Sequence, residues 1–251
     1  MAIANKVSIV TGGARGIGRA CALALAGRGH AIALVDVLEP ETDRTRAEIE
    51  ASGVPCRTYV ADVSSHARAR EVVADIMAAW GRVDALVNNA GRSQPKGILD
   101  ISEAEWDATI DVNLKSCFNW IQAAAPHMLA GGHGRIVSLS SLNAHSGGVT
   151  AAVSKFAYAA SKGGIIGMTR ALAKELGPKI LVNCVCPGLI KTDLVAKALM
   201  AERESELVAG IALDRPGTPQ DVAEVIAFLV TSEPCYVTGQ DITIDGMQFN
   251  R

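Results

Sequence analysis

Short runs of β-branched and apolar residues alternate along this chain with alanine-rich segments that repeat at helical spacing. Seven runs predict strands, at Val7 to Val10, Ala31 to Asp36, Cys56 to Val60, Ala85 to Val87, Arg135 to Leu139, Ile180 to Cys186 and Asp241 to Ile244. Helices are predicted at 18–28, 41–52, 66–80, 103–130, 157–176 and 219–231. Most of the strands are apolar on both faces, which is typical of strands covered by helices on each side. The pattern therefore predicts an α/β fold, a doubly wound parallel sheet with right-handed crossovers.

The same alternation predicts one domain over residues 1–251, because no linker, repeat or low-complexity tract interrupts it. The rhythm breaks after Pro187-Gly188, where a helix-like stretch from Asp193 to Ala209 takes the place of the next strand. We interpret 189–209 as an inserted lid.

Charge and cysteine usage exclude several function classes. Twenty-four basic and 26 acidic residues give a net charge of −2, without the basic excess that phosphate-backbone binding requires. We therefore expect no nucleic-acid partner and no membrane partner, since no apolar run reaches the roughly 18 residues of a spanning helix. The N-terminal apolar run is too short for a signal peptide, which favours a cytoplasmic location. Six scattered cysteines without CxxC spacing predict neither a metal site nor disulfides.

A glycine-rich turn, Thr11 to Gly18, follows the first predicted strand. Glycines at such a turn let the backbone approach a pyrophosphate, and the following helix offers free N–H groups to it. Asp36, at the end of the second strand, can accept hydrogen bonds from a ribose diol. Its carboxylate would repel a 2′-phosphate, whereas Arg15 could bind one. We expect the carboxylate to dominate and predict NAD as the cofactor, rather than NADP.

The glycine spacing 12, 16, 18 departs from Gly-x-Gly-x-x-Gly, and with further motifs it resembles the short-chain dehydrogenase/reductases of about 250 residues. The motifs that carry the resemblance, in order, are Thr11 to Gly18, Asn88-Asn89-Ala90-Gly91, Asn113, Ser141, Tyr158-x-x-x-Lys162 and Pro187-Gly188. The resemblance covers essentially the whole chain. It implies a seven-stranded sheet of the Rossmann type, a nicotinamide dinucleotide, hydride transfer to or from an alcohol or carbonyl carbon, and assembly as dimers or tetramers.

Cofactor-binding residues follow from this resemblance and from the glycine turn. They are Gly12, Arg15, Gly16, Ile17, Gly18, Asp36, Asp62, Val63, Asn89, Ala90, Gly91, Tyr158, Lys162, Pro187, Gly188, Ile190 and Thr192. Asp62 and Val63 resemble the family's adenine-contacting pair, and Asn88 to Gly91 is expected to line the adenosine side.

Tyr158 and Lys162 lie four residues apart on a predicted helix, so their side chains project from one face. A tyrosine is a weak base at neutral pH, and a neighbouring ammonium favours its phenolate. Oxidation of an alcohol needs such a base for the hydroxyl proton, while the hydride leaves from carbon to the nicotinamide. Ser141, rather than the adjacent Ser140, is aligned with the family's serine and would hold the same substrate oxygen. The resemblance also implies that Asn113 supports a water that relays protons to Lys162.

The substrate is less constrained. The loop Leu142 to Phe156 is longer than in many relatives, and its Asn143 or His145 is expected to touch substrate. Cationic or imidazole side chains in segments that should border the cleft are Lys96, His145, Lys191 and Arg203. They favour a small polar molecule, such as a polyol, sugar or hydroxy acid. The alternatives are a 3-oxoacyl-thioester (acyl carrier protein) reductase using NADPH and a catalytically silent dinucleotide-binding protein.

A homotetramer is predicted from the helices at 103–130 and 157–176 and the last strand, because those helices carry more apolar residues than one core-facing stripe requires. The residues concerned are Ala123, Ala124, Ala125, Ile165, Ile166 and Met168. Cys184 and Cys186 alternate along one strand and are expected to be packed in the core. Met247 stands where a glycine is frequent in the family, which leaves the tail conformation open.

Overall fold

The computed structural model describes residues 6–148, 154–192 and 206–248. Seven strands form one parallel sheet in the order β3-β2-β1-β4-β5-β6-β7. The strands are β1 (Lys6–Thr11), β2 (His30–Asp36), β3 (Cys56–Val60), β4 (Ala85–Asn88), β5 (Gly134–Leu139), β6 (Ile180–Pro187) and β7 (Asp241–Ile244). All seven predicted strands are confirmed, as is the α/β class.

The helices connect successive strands and cover both faces of the sheet. They are α1 (Gly16–Ala26), α2 (Glu39–Ala51), α3 (His66–Trp80), α4 (Glu103–Ile110), α5 (Ser116–Gly131), α6 (Asn143–Ser146), α7 (Phe156–Leu176) and α8 (Pro219–Thr231). The single helix expected at 103–130 is instead divided by a π-helical turn at Asp111–Lys115. The helix-like stretch proposed as a lid, Asp193 to Ala209, falls mostly outside the described residues.

Local chemistry sets several helix ends. Ser65 caps α3 by accepting a hydrogen bond from the backbone N–H of Arg68. Ser102 and Glu105 form a reciprocal capping box at α4, and Thr218 and Asp221 form another at α8. These contacts satisfy backbone N–H groups that a helix leaves unpaired at its start.

The core lies in two layers, one on each face of the sheet. Side chains of α3, α5 and α7 pack against one face, where Trp120 and Ile165 are fully buried. Side chains of α1 and α8 pack against the other, with Leu25 and Ile226 fully buried. Because β1 lies between β2 and β4, the chain reverses its direction of winding there, and α/β folds place ligands at that carboxyl edge.

The chain's own core covers most of the apolar residues from which a tetramer was expected. Ala123, Ala124, Ala125, Ile165 and Ile166 are all buried within the single chain. Their abundance therefore reflects helix-to-sheet packing, and it does not by itself indicate an interface. Within the described ranges, none of the helices combines the length and apolar character needed to cross a membrane.

Met247 adopts φ of +66°, in the left-handed region that favours glycine. The turn at which the family often has a glycine is therefore kept by a residue that is strained there.

Candidate active site

The glycine turn between β1 and α1 is too tightly packed for side chains. A β-carbon placed on Gly18 would lie 2.0 Å from the carbonyl oxygen of Gly12, and one on Gly12 would lie 2.9 Å from Cα of Ala90. Gly12 and Gly16 also have φ of +64° and +55°. Arg15 precedes α1 without capping it through its side chain. The turn thus presents bare backbone at a helix N-terminus. The pyrophosphate of a dinucleotide can approach its N–H groups closely.

Asn89 braces this turn from the end of β4. Its side-chain amide donates to the carbonyl oxygens of Thr11 and Gly12, at 3.0 and 2.9 Å. The Thr11 hydroxyl in turn accepts from the backbone N–H groups of Asn89 and Ala90. Hydrogen bonds from the motif Asn88 to Gly91 therefore fix the conformation of the glycine turn.

The Asp36 carboxylate is fixed by backbone donors at the end of β2. Its Oδ2 accepts from the N–H of Ala14 at 3.0 Å, and its Oδ1 accepts from Val37 and Leu38 at 2.8 and 3.1 Å. Each carboxylate oxygen has further acceptor capacity, which ribose hydroxyls could use. Arg15, in the same turn, is exposed.

A cavity of about 600 Å³ runs along this edge of the sheet. Its lining includes the predicted residues Gly12, Arg15, Gly16, Ile17, Asp36, Asp62, Val63, Asn89, Ala90, Gly91 and Thr192. It also includes residues that sequence reasoning missed, namely Val37, Leu38, Ala61, Arg92 and Val112. Four of these five adjoin a predicted residue in sequence, so extending each motif by one or two positions would have found them.

Other predicted cofactor residues are absent from that lining. Gly18 lies beneath the turn, packed on Gly12, and Ile190 is buried with an isolated bridge to Gly217. Gly188 packs against the tail, since a β-carbon there would lie 2.7 Å from Cβ of Asp245. Pro187 ends β6 and is likewise not part of the lining.

The segment Asp62 to Ser64, expected to contact adenine, is held in place by a buried side-chain amide. Asn119 of α5 donates to the carbonyl oxygens of Val63 and Ser64, at 3.2 and 2.9 Å. Asp62 accepts from both the backbone N–H and the hydroxyl of Ser64. The position of Asp62 and Val63 at the cavity wall is therefore set by α5, which no local motif predicts.

Lys162 and Tyr158 share one face of α7, as their spacing predicts. The Lys162 ammonium is buried and donates to the carbonyl oxygen of Leu139, at 2.5 Å. It lies 5.7 Å from the centre of the Tyr158 ring. A β-carbon on Gly91 would be 3.6 Å from this ammonium, so the pair lies next to one end of the cavity.

Asn113 lies in the π-helical turn and is fully buried. Its side chain accepts from the N–H of Arg92 at 2.8 Å and donates to the carbonyl oxygen of Arg92 and to the Ser161 hydroxyl. π-helical turns disrupt the regular backbone ladder and are frequent at functional sites. The structure thus brings Asn113 close to Lys162, with its side chain engaged in positioning the segment after Gly91.

The two adjacent serines have different partners. Ser140 is buried, and its hydroxyl donates to the carbonyl oxygen of Lys162 at 2.8 Å. Ser141 is half-buried, and its hydroxyl accepts from the N–H of Asn143 at 3.2 Å, which leaves its proton for another acceptor. The second serine therefore has the more accessible hydroxyl of the two.

The residues expected to meet a polar substrate lie in several different surroundings. The Lys96 ammonium is 2.6 Å from Glu105, and His145 Nε2 is 3.2 Å from Asp241. Lys191 lines a second cavity of about 350 Å³ beside Arg15, rather than the Tyr158 region. Arg203 lies outside the described residues. Asn143 remains next to Ser141.

Cys184 and Cys186 are both fully buried on β6, as the strand alternation predicts. The Cys184 thiol donates a hydrogen bond to the Cys186 sulfur, which raises the pKa of Cys184 and lowers the pKa of Cys186. Hydrogen bonds with Ser140 and His145 also lower the pKa of Cys186, whereas burial raises it.

Known proteins resemble the chain over nearly its whole length. A family model described as Enoyl-(Acyl carrier protein) reductase matches residues 12–246. A 3-oxoacyl-[acyl-carrier-protein] reductase from Thermotoga maritima is 41% identical, with 98% of each chain covered. The (2S)-[(R)-hydroxy(phenyl)methyl]succinyl-CoA dehydrogenase subunit BbsD of Thauera aromatica is 38% identical, over 98% of this chain and 97% of its own. A crystal structure from Brucella melitensis, described as a short-chain dehydrogenase/reductase of the glucose/ribitol dehydrogenase type, superimposes with a TM-score of 0.88 at 35% identity, covering 97% and 96% of the two chains.

Proposed function

Since the chain belongs to the short-chain dehydrogenase/reductase family, we propose that it is an NAD-dependent enzyme that transfers hydride between a secondary alcohol or ketone and the nicotinamide. The observation that carries the cofactor choice is Asp36, whose carboxylate is fixed by three backbone N–H groups at the cavity wall. A fixed carboxylate accepts hydrogen bonds from a ribose diol and repels a 2′-phosphate. The two positions after it are Val37 and Leu38, which offer the phosphate no cation.

The site residues divide the proton chemistry among them. The Tyr158 phenolate takes the hydroxyl proton of the alcohol, and the Ser141 hydroxyl donates to the same substrate oxygen. The Lys162 ammonium, fixed by the Leu139 carbonyl, stabilises the phenolate. Bound NAD supplies the hydride acceptor. Asn113 keeps the segment after Gly91 in place beside this ammonium.

Binding titrations with NAD and NADP test the cofactor proposal without knowledge of the substrate. We expect the wild type to bind NAD at least about tenfold more tightly, a difference of roughly 1.4 kcal/mol. Asp36→Ala should relax this preference by improving NADP binding, because the exposed Arg15 can then pair with the 2′-phosphate. The double variant Asp36→Ala/Arg15→Ala is the control and should lose that gain. Equal or tighter binding of NADP by the wild type would overturn the proposal.

For the substrate, we infer a 3-oxoacyl or 3-hydroxyacyl thioester. Two relatives are named for acyl carrier protein or coenzyme A substrates. Lys96 and His145, which favoured a small polar substrate, are paired within the chain with Glu105 and Asp241. A polyol, sugar or hydroxy acid is the second candidate, and Asn143 beside Ser141 is the observation that favours it.

Initial rates at 340 nm distinguish the two substrate classes. The panel contains short and long 3-oxoacyl and 3-hydroxyacyl thioesters, polyols and sugar acids, each with both cofactors. We expect the highest kcat/KM for a thioester, and Tyr158→Phe should abolish that turnover while it leaves NAD binding nearly intact. Faster turnover of a polyol or sugar acid than of every thioester would favour the second candidate. Retention of more than a few per cent of the rate by Tyr158→Phe would refute the assigned base.

A further inference from the structure

Three side chains of different chemistry meet outside the lining of the dinucleotide cavity. They are His145 on α6, the buried Cys186 on β6 and Asp241 at the start of β7. Their potential ligand atoms all lie within 4.8 Å of one another. His145 Nε2 and Asp241 Oδ2 are 3.2 Å apart. The proposed hydride chemistry uses none of the three.

We propose that His145, Cys186 and Asp241 bind a divalent cation of the zinc class. A thiolate, an imidazole and a carboxylate are the ligand types that zinc takes, with bonds of about 2.0–2.3 Å. A tetrahedron with such bonds has edges of roughly 3.3–3.6 Å. The imidazole-to-carboxylate distance of 3.2 Å is close to such an edge, and the other two pairs, which lie within 4.8 Å, need to contract by at most about 1.5 Å.

The surroundings of each ligand favour zinc over magnesium or calcium. Sulfur and imidazole ligands select zinc, whereas the harder cations take mainly oxygen. Asp241 keeps Oδ2 towards His145, because its Oδ1 accepts from Arg170 at 2.7 Å. Ligating carboxylates are commonly oriented by such an outer hydrogen bond.

The three ligands also form a path from solvent to core. His145 is exposed, Asp241 is half-buried and Cys186 is fully buried. A cation can therefore enter past the imidazole, and the thiol releases its proton to solvent on binding. With three protein ligands, the fourth position remains for water. The bound ion would tie α6, which follows Ser141, to the last two strands of the sheet.

Zinc binding to the full chain, without an affinity tag, tests the proposal directly. Apo protein prepared with a chelator is titrated with Zn²⁺ in competition with a chromophoric chelator, and metal content is measured after dialysis. We expect one zinc per chain. Substitution by Co²⁺ should produce a thiolate-to-cobalt charge-transfer band in the near ultraviolet and the strong visible absorption of a tetrahedral site.

The variants His145→Ala, Asp241→Asn and Cys186→Ser each remove one ligand. Loss of an outer-shell partner alone costs about 10–100-fold in metal affinity, so each variant should lose at least about 100-fold. Cys186→Ser should also abolish the charge-transfer band. The exposed His145→Ala tests the site without disturbing the core.

Two matched controls keep the assignment specific. Cys21→Ser removes a fully buried thiol on α1, on the other face of the sheet, and His133→Ala removes a histidine whose Nε2 lies 3.0 Å from Glu233. Both should bind zinc within a few-fold of the wild type. Absence of stoichiometric zinc, binding without the charge-transfer band, or equal losses in the controls would overturn the proposal. The result does not depend on the cofactor or substrate proposals.

Discussion

Ser140 and Ser141 are chemically identical, and their contacts alone separate their roles. The buried Ser140 hydroxyl fixes the backbone of the helix that carries Lys162. The half-buried Ser141 hydroxyl receives a hydrogen bond from Asn143 and can donate outward. The sequence points to the second serine only through family alignment, because no local pattern distinguishes two neighbouring hydroxyls.

Alanine substitution should therefore affect the two serines differently. Ser141→Ala should lower kcat by about 100-fold or more, as expected for loss of a donor to the reacting oxygen, with an almost unchanged free energy of unfolding. Ser140→Ala should destabilise the fold by about 1 kcal/mol, because a buried hydrogen bond is lost. Steady-state rates and denaturant unfolding on both variants provide the comparison. The assignment fails if Ser140→Ala abolishes turnover and Ser141→Ala does not.

At the scale of elements, hydrophobic periodicity predicts the strands of the sheet well. It predicts interruptions of a helix poorly. The seven strands were predictable because their apolar runs are bounded by glycine, proline or polar residues. The π-helical turn at Asp111–Lys115 was not, since its side chains continue the helical pattern and only Asn113, bonded to Arg92, marks it. Contacts between distant segments, such as Asn119 with Val63, leave no local signal.

The candidate metal site departs from the sequence prediction of no metal because its ligands are also distant in sequence. Sequence rules for zinc rely on ligands with short, regular spacing. His145, Cys186 and Asp241 come from three separate elements and meet only because β6 pairs with β7 and α6 packs beside them. The prediction drawn from cysteine spacing therefore does not bear on such a site.

The amino ends of β1 and β2 contain a buried histidine that should make stability depend on pH. Burial, and next the Lys6 ammonium, lower the pKa of His30 to about 4 from an ordinary value of 6.5. Its Nδ1 lies 2.7 Å from the Ser8 hydroxyl. The unfolded chain then binds more protons between these pH values, so stability is fully present above about pH 6.5 and decreases as pH falls towards 4.

The expected loss over that interval is about 3 kcal/mol. Denaturant unfolding at several pH values measures it, and His30→Gln should flatten that part of the profile because glutamine does not titrate. An identical slope in the wild type and His30→Gln would show that other groups cause the acid sensitivity.

At the scale of the whole molecule, the apolar residues of α5 and α7 no longer support the prediction of a homotetramer, so exposed residues must be considered instead. The alanines of α5 are buried within the chain, but Phe118 on the same helix is 47% exposed. Its ring stacks on His66 of α3, with centroids 5.8 Å apart. This stacked pair forms a partly apolar platform on the α3 and α5 side of the sheet. Such platforms are typical of interface anchors.

We expect the protein to be a tetramer whose contacts include this platform. In a two-fold interface each residue occurs twice, so the burial of Phe118 contributes apolar contact area from both subunits. Phe118→Asp should therefore shift the mass from tetramer towards dimer or monomer at micromolar concentration, because each interface would then contain two charges without a partner. Light scattering and sedimentation velocity measure the mass.

Phe228→Asp is the matched control, since Phe228 is 52% exposed on α8, on the opposite face of the sheet, and should leave the mass unchanged. A monomeric wild type would refute the tetramer, and dissociation by Phe228→Asp but not by Phe118→Asp would move the interface to the other face.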